Sequence, residues 1–346
     1  MDCGNSGTTM RLLLGAIAGQ TFGATLTGDA SLQKRPMARV TKPLADLGAD
    51  FVGPHDKAPI TIQGQRLTNV SLSSPVASAQ VKTAVMLAAL QGQGTLTYTE
   101  PALSRDHTER MLGAMGIRFD RAQDPSGAHT ITLEGPQTPQ AIDVEVPGDI
   151  SSAAFFLVAG SIVPGSDILI EHVGVNPSRT GVLDVLESMG ADISLYNVRD
   201  VGGEPVADVR VRSATLEPTR IGGALVPRLV DEIPVLAVAM AHANGESVVE
   251  DASELRVKES DRIASTLQIL RGLGIQATEQ SSGFTVHGQS TADMQPPAID
   301  AGLDHRIAMA SVVAGLPLSG ETKVLGADAI KSSFPTFIQL VDQLRD

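Results

Sequence analysis

The sequence predicts a mixed α/β (α+β) protein assembled from a large repeated supersecondary unit, and three observations predict it. Almost wholly apolar segments begin on polar residues and end at a glycine-marked turn over residues 5–23, 78–94, 151–165, 231–245 and 304–320. Helices with so little polar surface must be buried on every side. A second phrase, an amphipathic helix end followed by glycine and then a strand, recurs at Leu47-Gly48-Ala49, Met115-Gly116-Ile117, Met189-Gly190-Ala191 and Leu273-Gly274-Ile275. Glycine just past a helix end is the residue that turns the chain through left-handed backbone. These glycines recur about every 70 to 85 residues, the period of a repeat larger than one hairpin or helix pair. The unit therefore reads strand, apolar helix, strand, amphipathic helix, strands, with helices packed inside sheets.

Taken in order, Gly4-Asn5-Ser6-Gly7-Thr8-Thr9-Met10-Arg11 opens the first apolar helix, with no strand expected before it. Its glycines let the backbone approach a ligand, Asn5, Ser6 and Thr8 can cap the helix start, and the free N–H groups there favour an anion. Arg11 adds a fixed charge one turn later. Residues 32–37 carry Lys34-Arg35-Pro36, and a loop is expected over 53–59. Ser78-Ala79-Gln80-Val81-Lys82 starts the second apolar helix and Ser104-Arg105-Asp106-His107 the second amphipathic one, followed by a loop at 124–127. Proline and glycine cluster over 139–147, which marks a boundary between domains 1–143 and 144–346. Beyond it, loops are expected at 199–205 and 293–297. Asp231 and Asp304 stand where helix N-caps belong, and Arg256-Val257-Lys258-Glu259-Ser260-Asp261-Arg262 leads into the last amphipathic helix.

Composition narrows the functional classes. The chain has 346 residues, 42% hydrophobic and 19% charged, enough for two domains and a sizeable core. It has no Trp and only 3% aromatic residues, so nothing suggests stacking on bases, and a formal net charge of −13 argues against nucleic acid or an acidic membrane as partner. Cys3 is the one cysteine, which excludes an internal disulfide and a multi-cysteine metal site. The longest apolar runs, at 153–163 and 234–241, are too short to span a bilayer, and no signal peptide opens the chain, which favours the cytoplasm; a monomer is expected.

Arg35, Arg105, Lys258, Arg262 and Arg306 occupy related places in the repeat, so they are expected to converge. A cation cluster in an acidic protein implies an anionic ligand, phosphate or carboxylate, gripped by guanidinium forks. Singly, each also reads as an ordinary solvated helix-start pair, such as Arg105 with Asp106 or Arg262 with Asp261, and His305 reads as structural. Lys258 with Glu259 is the pair that invites proton transfer. Metal-ligand spacing, a nucleophile elbow, a phosphate-loop lysine and a dinucleotide fingerprint are all missing from the sequence, so catalysis without a cofactor or metal is the expectation.

Six separated motifs, in order, resemble the 5-enolpyruvylshikimate-3-phosphate synthase family: the Gly4 to Thr8 turn, Gly28-Asp29-Ala30-Ser31-Leu32 with Lys34 to Met37, Ser78 to Lys82, Asp231-Glu232-Ile233-Pro234, Arg256 to Arg262, and Asp304-His305-Arg306. The resemblance implies the two-domain enolpyruvyl transferase fold, each domain from three βαβαββ units, with the substrates phosphoenolpyruvate and shikimate 3-phosphate taken between them. It implies transfer of the carboxyvinyl group to the 5-hydroxyl of shikimate 3-phosphate, with release of phosphate through a tetrahedral intermediate and no cofactor. Asp231 would be the base at that hydroxyl, and Glu259 would handle the proton at the methylene carbon. Arg35, Arg262 and Arg306 would hold phosphoenolpyruvate beside Gly7, with Asn5, Thr8 and Arg11 lining the cleft. Ser78, Ala79, Gln80, Arg105 and Lys258 would hold shikimate 3-phosphate, Ala79 standing where many relatives have serine.

Departures from the family pattern carry their own expectations. The family's opening strand and Lys-Ser pair have no counterpart before Gly4, which leaves the first domain at about two repeats and the second at three, one unit short, roughly 85 to 90 residues on the repeat period. Weak or absent turnover is the expected consequence. Ser332 stands where some relatives have lysine, and Leu12 where some have proline. A catalytically inactive ligand-binding remnant is one alternative reading. The sister transferase acting on UDP-N-acetylglucosamine is another, but its reactive loop cysteine has no equivalent here.

Overall fold

The computed structural model describes residues 1–65 and 67–344, and the chain forms two compact units, Met1–Val144 and Glu145–Asp346. In the first, α1 (Gly7–Ala18), β1 (Gly23–Leu26), α2 (Ala38–Asp46), β2 (Asp50–Val52) and β3 (Ile60–Gln63) make one repeat. β4 (Val70–Ser73), α3 (Ala79–Ala89), β5 (Gly94–Glu100), α4 (His107–Ala114), β6 (Asp120–Gln123) and β7 (His129–Gly135) make the next. β4 lies parallel to β5, and β5 then pairs antiparallel with the β6–β7 hairpin through β7.

In the second unit the sequence continues with α5 (Ile150–Ile162), β8 (Asp167–Gly174), α6 (Gly181–Ser188), β9 (Asp192–Val201) and β10 (Glu204–Arg212). The next repeat is β11 (Arg220–Ile221), α7 (Ile233–Ala241), β12 (Gly245–Val249), α8 (Arg262–Gly272), β13 (Gln276–Gln280) and β14 (Gly283–Gly288), whose sheet order β11-β12-β14-β13 repeats that of β4 to β7. Last come β15 (Ala298–Asp300), α9 (His305–Gly315), β16 (Lys323–Leu325) and α10 (Phe337–Gln343).

Two helix classes divide the work as the sequence predicts. All nine residues of α7 are buried. The α5, α7 and α9 helices pack on one another inside the sheets of the second unit, and α1 packs on α3 in the first. A Cβ on Gly15 would fall 2.2 Å from the Ala84 carbonyl oxygen, so only glycine allows α1 and α3 to cross that closely. The amphipathic helices α2, α4, α6 and α8 end at Gly48, Gly116, Gly190 and Gly274, all at positive φ. Separate hydrophobic cores fill the two units.

Four expectations need correction. Residues before Gly4 do pair: Cys3 N–H donates to the Thr27 carbonyl and Thr27 N–H to that of Met1, a parallel contact next to β1. Residues 199–205 are mostly strand, because β9 and β10 run to within two residues of each other and Gly202 and Gly203, both at positive φ, close the hairpin. The third repeat of the second unit has only its first half among the described residues. Gly326, at φ 74°, turns the chain after β16 into a 3-10 segment and α10, whose Phe337 packs on Phe155, Phe156 and Phe334, so these residues serve the core as helix. The N-cap of α7 is Glu232 rather than Asp231, for the reason given next.

Candidate functional site

Within the first unit, most of the residues singled out in the sequence meet at the start of α1. Ser6, not Asn5, is its N-cap, accepting the Thr9 N–H. That frees Asn5, whose amide donates to Asp29 at 2.6 Å and whose oxygen accepts from Arg35 at 3.0 Å. The Asn5 bond, followed by the Leu32 N–H, holds the Asp29 carboxyl below the usual carboxylate range. One turn on, Arg11 donates to Gln80 Oε1 at 2.7 Å and to the Pro36 carbonyl, while the Gln80 amide donates to Thr8. Gly7 lies under this arrangement, and a Cβ there would sit 3.3 Å from Arg11 Nη1.

Ser78 caps α3, accepting the Val81 N–H, and Ala79 is the first residue of that helix. Arg105 is half-buried in the loop between β5 and α4. The residue before it, Ser104, is tied to a buried cluster of Lys82 and Glu100.

In the second unit, Arg262 is the organising residue. It is the first residue of α8 and 1% exposed, with hydrogen bonds to three carboxylates. Its Nε donates to Asp304 Oδ2 at 2.9 Å, Nη2 to Glu259 Oε2 at 2.6 Å and to Asp304 Oδ1 at 3.4 Å, and Nη1 to Asp231 Oδ1 at 3.2 Å. Burial works against its charge, but Asp304, Glu259 and Asp231 outweigh that and push its pKa up further. Asp304 is 0% exposed; burial raises its carboxyl, yet Arg262 more than compensates and the net direction is down. Asp304 also caps α9 through the Arg306 N–H and accepts from Ser260.

Asp231 does not cap α7 because its side chain is turned to Arg262 and to Lys258, whose Nζ stands 3.7 Å away. Arg306 donates to the Asp231 carbonyl at 3.3 Å and lies 4.0 Å from the buried Glu232. Glu232 accepts from Ser151, which also receives Arg179. His305 is held neutral over a wider range, its pKa lowered by burial and then by Arg306. This second-unit group therefore offers two partly exposed carboxylates, Asp231 and Glu259, on one buried guanidinium, with Lys258 and Arg306 beside Asp231. Such a group can accept and return protons next to a bound anion.

Sequence reasoning named both carboxylates and the cations around them. It quoted Asp29 and Glu232 in motifs and residue 151 as a helix start without giving them a place in the site, it missed Arg179, and it did not foresee that Arg262 and Asp304 form one buried pair. A signal existed for Glu232: an acidic residue directly before the apolar run of α7 must either cap that helix or find a buried partner. Cys3 is 7% exposed in the first unit's core, and burial pushes its thiol pKa up, the opposite of a reactive cysteine. Among the described residues no group of His, Cys, Asp and Glu is arranged to hold a metal ion, and no helix is long and apolar enough to cross a membrane.

Comparisons with known proteins agree on one family. The profile of EPSP synthase (3-phosphoshikimate 1-carboxyvinyltransferase) matches residues 1–341. The 3-phosphoshikimate 1-carboxyvinyltransferase of Thermosynechococcus vestitus is 52% identical over 347 residues, covering 99% of this chain and 78% of the relative. A solved EPSP synthase from Acinetobacter baumannii superposes with a TM-score of 0.87 at 42% identity, covering 99% of this chain and 78% of that one. The enolpyruvyl transferase NikO from Streptomyces tendae, at 19% identity and a TM-score of 0.72 over 96% of this chain and 75% of its own, shares the fold. The chain has the two-domain enolpyruvyl transferase fold and belongs to the EPSP synthase family, the 3-phosphoshikimate 1-carboxyvinyltransferases.

Proposed function

We propose that this chain transfers the carboxyvinyl group of phosphoenolpyruvate to the 5-hydroxyl of shikimate 3-phosphate, releasing phosphate. The observation that carries the reading is the sharing of Arg262 by Asp231 and Glu259, at 3.2 and 2.6 Å. A cation between two carboxylates lowers the cost of keeping both ionised, so both stand ready as proton acceptors beside a bound anion. Asp231 takes the 5-hydroxyl proton as that oxygen bonds to C2 of phosphoenolpyruvate, and Glu259, after taking up a proton from solvent as the anionic substrate binds, delivers that proton to C3. The C2–O bond of the tetrahedral adduct to phosphate then breaks, and Glu259 recovers a proton from C3 as the double bond re-forms.

Arg306 and Arg35 hold the phosphoenolpyruvate anion, and Gly7 lets it approach the backbone. Arg262 takes part through its Nη1 edge beside Asp231, since its other N–H groups are committed to Glu259 and Asp304. Ser78, Ala79, Gln80, Arg105 and Lys258 serve shikimate 3-phosphate, with Asn5, Thr8 and Arg11 fixing the α1 end of the site. Preorganised cations of this kind stabilise the departing phosphate. The same reading makes the protein a cytoplasmic monomer that acts on small molecules without a cofactor.

The test is phosphate release from the two substrates together, with calorimetric binding of shikimate 3-phosphate as the first step. Saturable binding followed by phosphate release that requires both substrates supports the proposal. Absence of shikimate 3-phosphate binding overturns it.

A further inference from the structure

Lys82 is the one charged residue of α3, one turn after Ser78, and it is 0% exposed. A buried ammonium must find partners. Its Nζ lies 2.7 Å from Glu109 Oε1 on α4 and 3.0 Å from Glu100 Oε1 at the end of β5, and it donates to the Ser104 carbonyl at 3.1 Å. Glu100 Oε1 in turn accepts both the N–H and the Oγ–H of Ser104, each at 3.0 Å. Both carboxylates are 2% exposed. Every hydrogen-bonding group of Ser104 is thus tied to one buried ion cluster that also joins α3, β5 and α4.

We infer that Lys82, with Glu100 and Glu109, is a positioning device for shikimate 3-phosphate binding, tying the loop residue Ser104 to the first turn of α3 and so fixing the backbone from which Arg105 projects. The inference rests on the proposed function for its ligand, and on the geometry alone for the clamp. Lys82 itself touches no substrate: it sits within the core, and its effect passes through the Ser104 backbone. A flexible loop would lose a large part of its binding energy in ordering Arg105, and a clamped one does not.

Lys82→Met alone leaves two buried carboxylates without their cation, and the loss of stability would mask its effect on binding. The double variant Lys82→Met/Glu100→Met removes both groups that hold Ser104 and keeps their volume, while the remaining Glu109 can take up a proton. Two measurements on this variant, with an unchanged thermal transition as the folding control, decide the matter. Amide exchange at Ser104 is expected to speed up at least tenfold while β3 amides are unaffected, and shikimate 3-phosphate affinity is expected to fall at least tenfold. Unchanged Ser104 exchange overturns the clamp whatever the binding result. Faster exchange with unchanged affinity overturns its role in positioning. A parent chain that binds no shikimate 3-phosphate instead overturns the proposed function, and the exchange result still decides the clamp.

Discussion

Lys82 in the first unit and Arg262 in the second are both buried cations ringed by carboxylates, and they differ in where those carboxylates lead. Around Lys82 both partners are sealed, each 2% exposed, and the remaining bond goes to backbone. Around Arg262 one partner, Asp304, is sealed, but the side chains of Asp231 and Glu259 are 17% and 26% exposed. A lysine is a point charge that gathers whatever surrounds it, whereas a guanidinium fork presents separate edges. The first arrangement is closed; the second holds Asp304 with one edge and presents partly exposed carboxylates on the others. Buried charge in this fold is therefore used in two ways, and substitutions distinguish them.

The largest effect is expected on stability. Arg262→Met strands Asp304 without its cation, and breaking such a pair costs about 3–5 kcal/mol. Lys82→Met is expected to cost less, because Glu109, whose pKa burial has already raised, can take up a proton. Denaturant unfolding of the two variants at neutral pH checks the order, and a larger loss for Lys82→Met would reverse the comparison.

Next comes an effect on rate without a comparable effect on stability. Asp231→Asn and Glu259→Gln are each expected to lower kcat by about 10²–10⁴-fold. Their unfolding midpoints should stay closer to the parent than that of Arg262→Met, since both side chains keep access to solvent. If either variant retains the parent's kcat, that residue carries no proton in the reaction.

Much of this was readable from the sequence because it follows from local rules. The glycines at 48, 116, 190 and 274 announce the ends of the amphipathic helices, and the apolar runs announce α5 and α7. Asp231, Glu259 and the arginines stand at polar helix starts where the repeat makes them recur. What the sequence does not contain is the pairing. Nothing local tells Asp304 to meet Arg262 forty-two positions away, or Asn5 to leave the cap to Ser6 and bridge Asp29 to Arg35. The same holds for Lys82, whose isolation on an apolar helix signals a buried partner but not that Glu100, Glu109 and the Ser104 backbone supply it. The chain after β16 shows the limit from the other side: the repeat predicts a hairpin, but among the described residues none follows, and Phe337 belongs to the core.

A smaller effect is expected at Gly7. Gly7→Ala puts a Cβ 3.3 Å from Arg11 Nη1, so the Arg11–Gln80 bond must give by a few tenths of an ångström. Apparent affinity for phosphoenolpyruvate should fall by up to about tenfold, equivalent to ~1.4 kcal/mol, with folding intact. Steady-state kinetics checks this, and an unchanged KM would remove Gly7 from the site.

The smallest effects concern pH, and the two clusters should have opposite signs. Asp304 is lowered by Arg262 against its burial, so its contribution is present above its unfolded value of about 3.9 and is lost as pH falls through the folded value. Glu109 is raised, chiefly by burial, so its contribution is present below about 4.3 and is lost as pH rises through the folded value. Glu109→Gln should flatten the decline of the unfolding midpoint on the alkaline side of pH 4.3, and Asp304→Asn the decline on the acid side. Parallel changes in both variants would contradict the contrast.

The central claim, that Glu259 gives a proton to C3 of phosphoenolpyruvate and takes one back, has a direct measurement. When the reaction runs in deuterium oxide, the methylene group of the carboxyvinyl product should carry deuterium, detected by mass spectrometry and proton NMR. The parent chain is expected to incorporate it, with incorporation and phosphate release falling together in Glu259→Gln. Product formed without deuterium at that carbon, or equal incorporation by Glu259→Gln, would contradict the account.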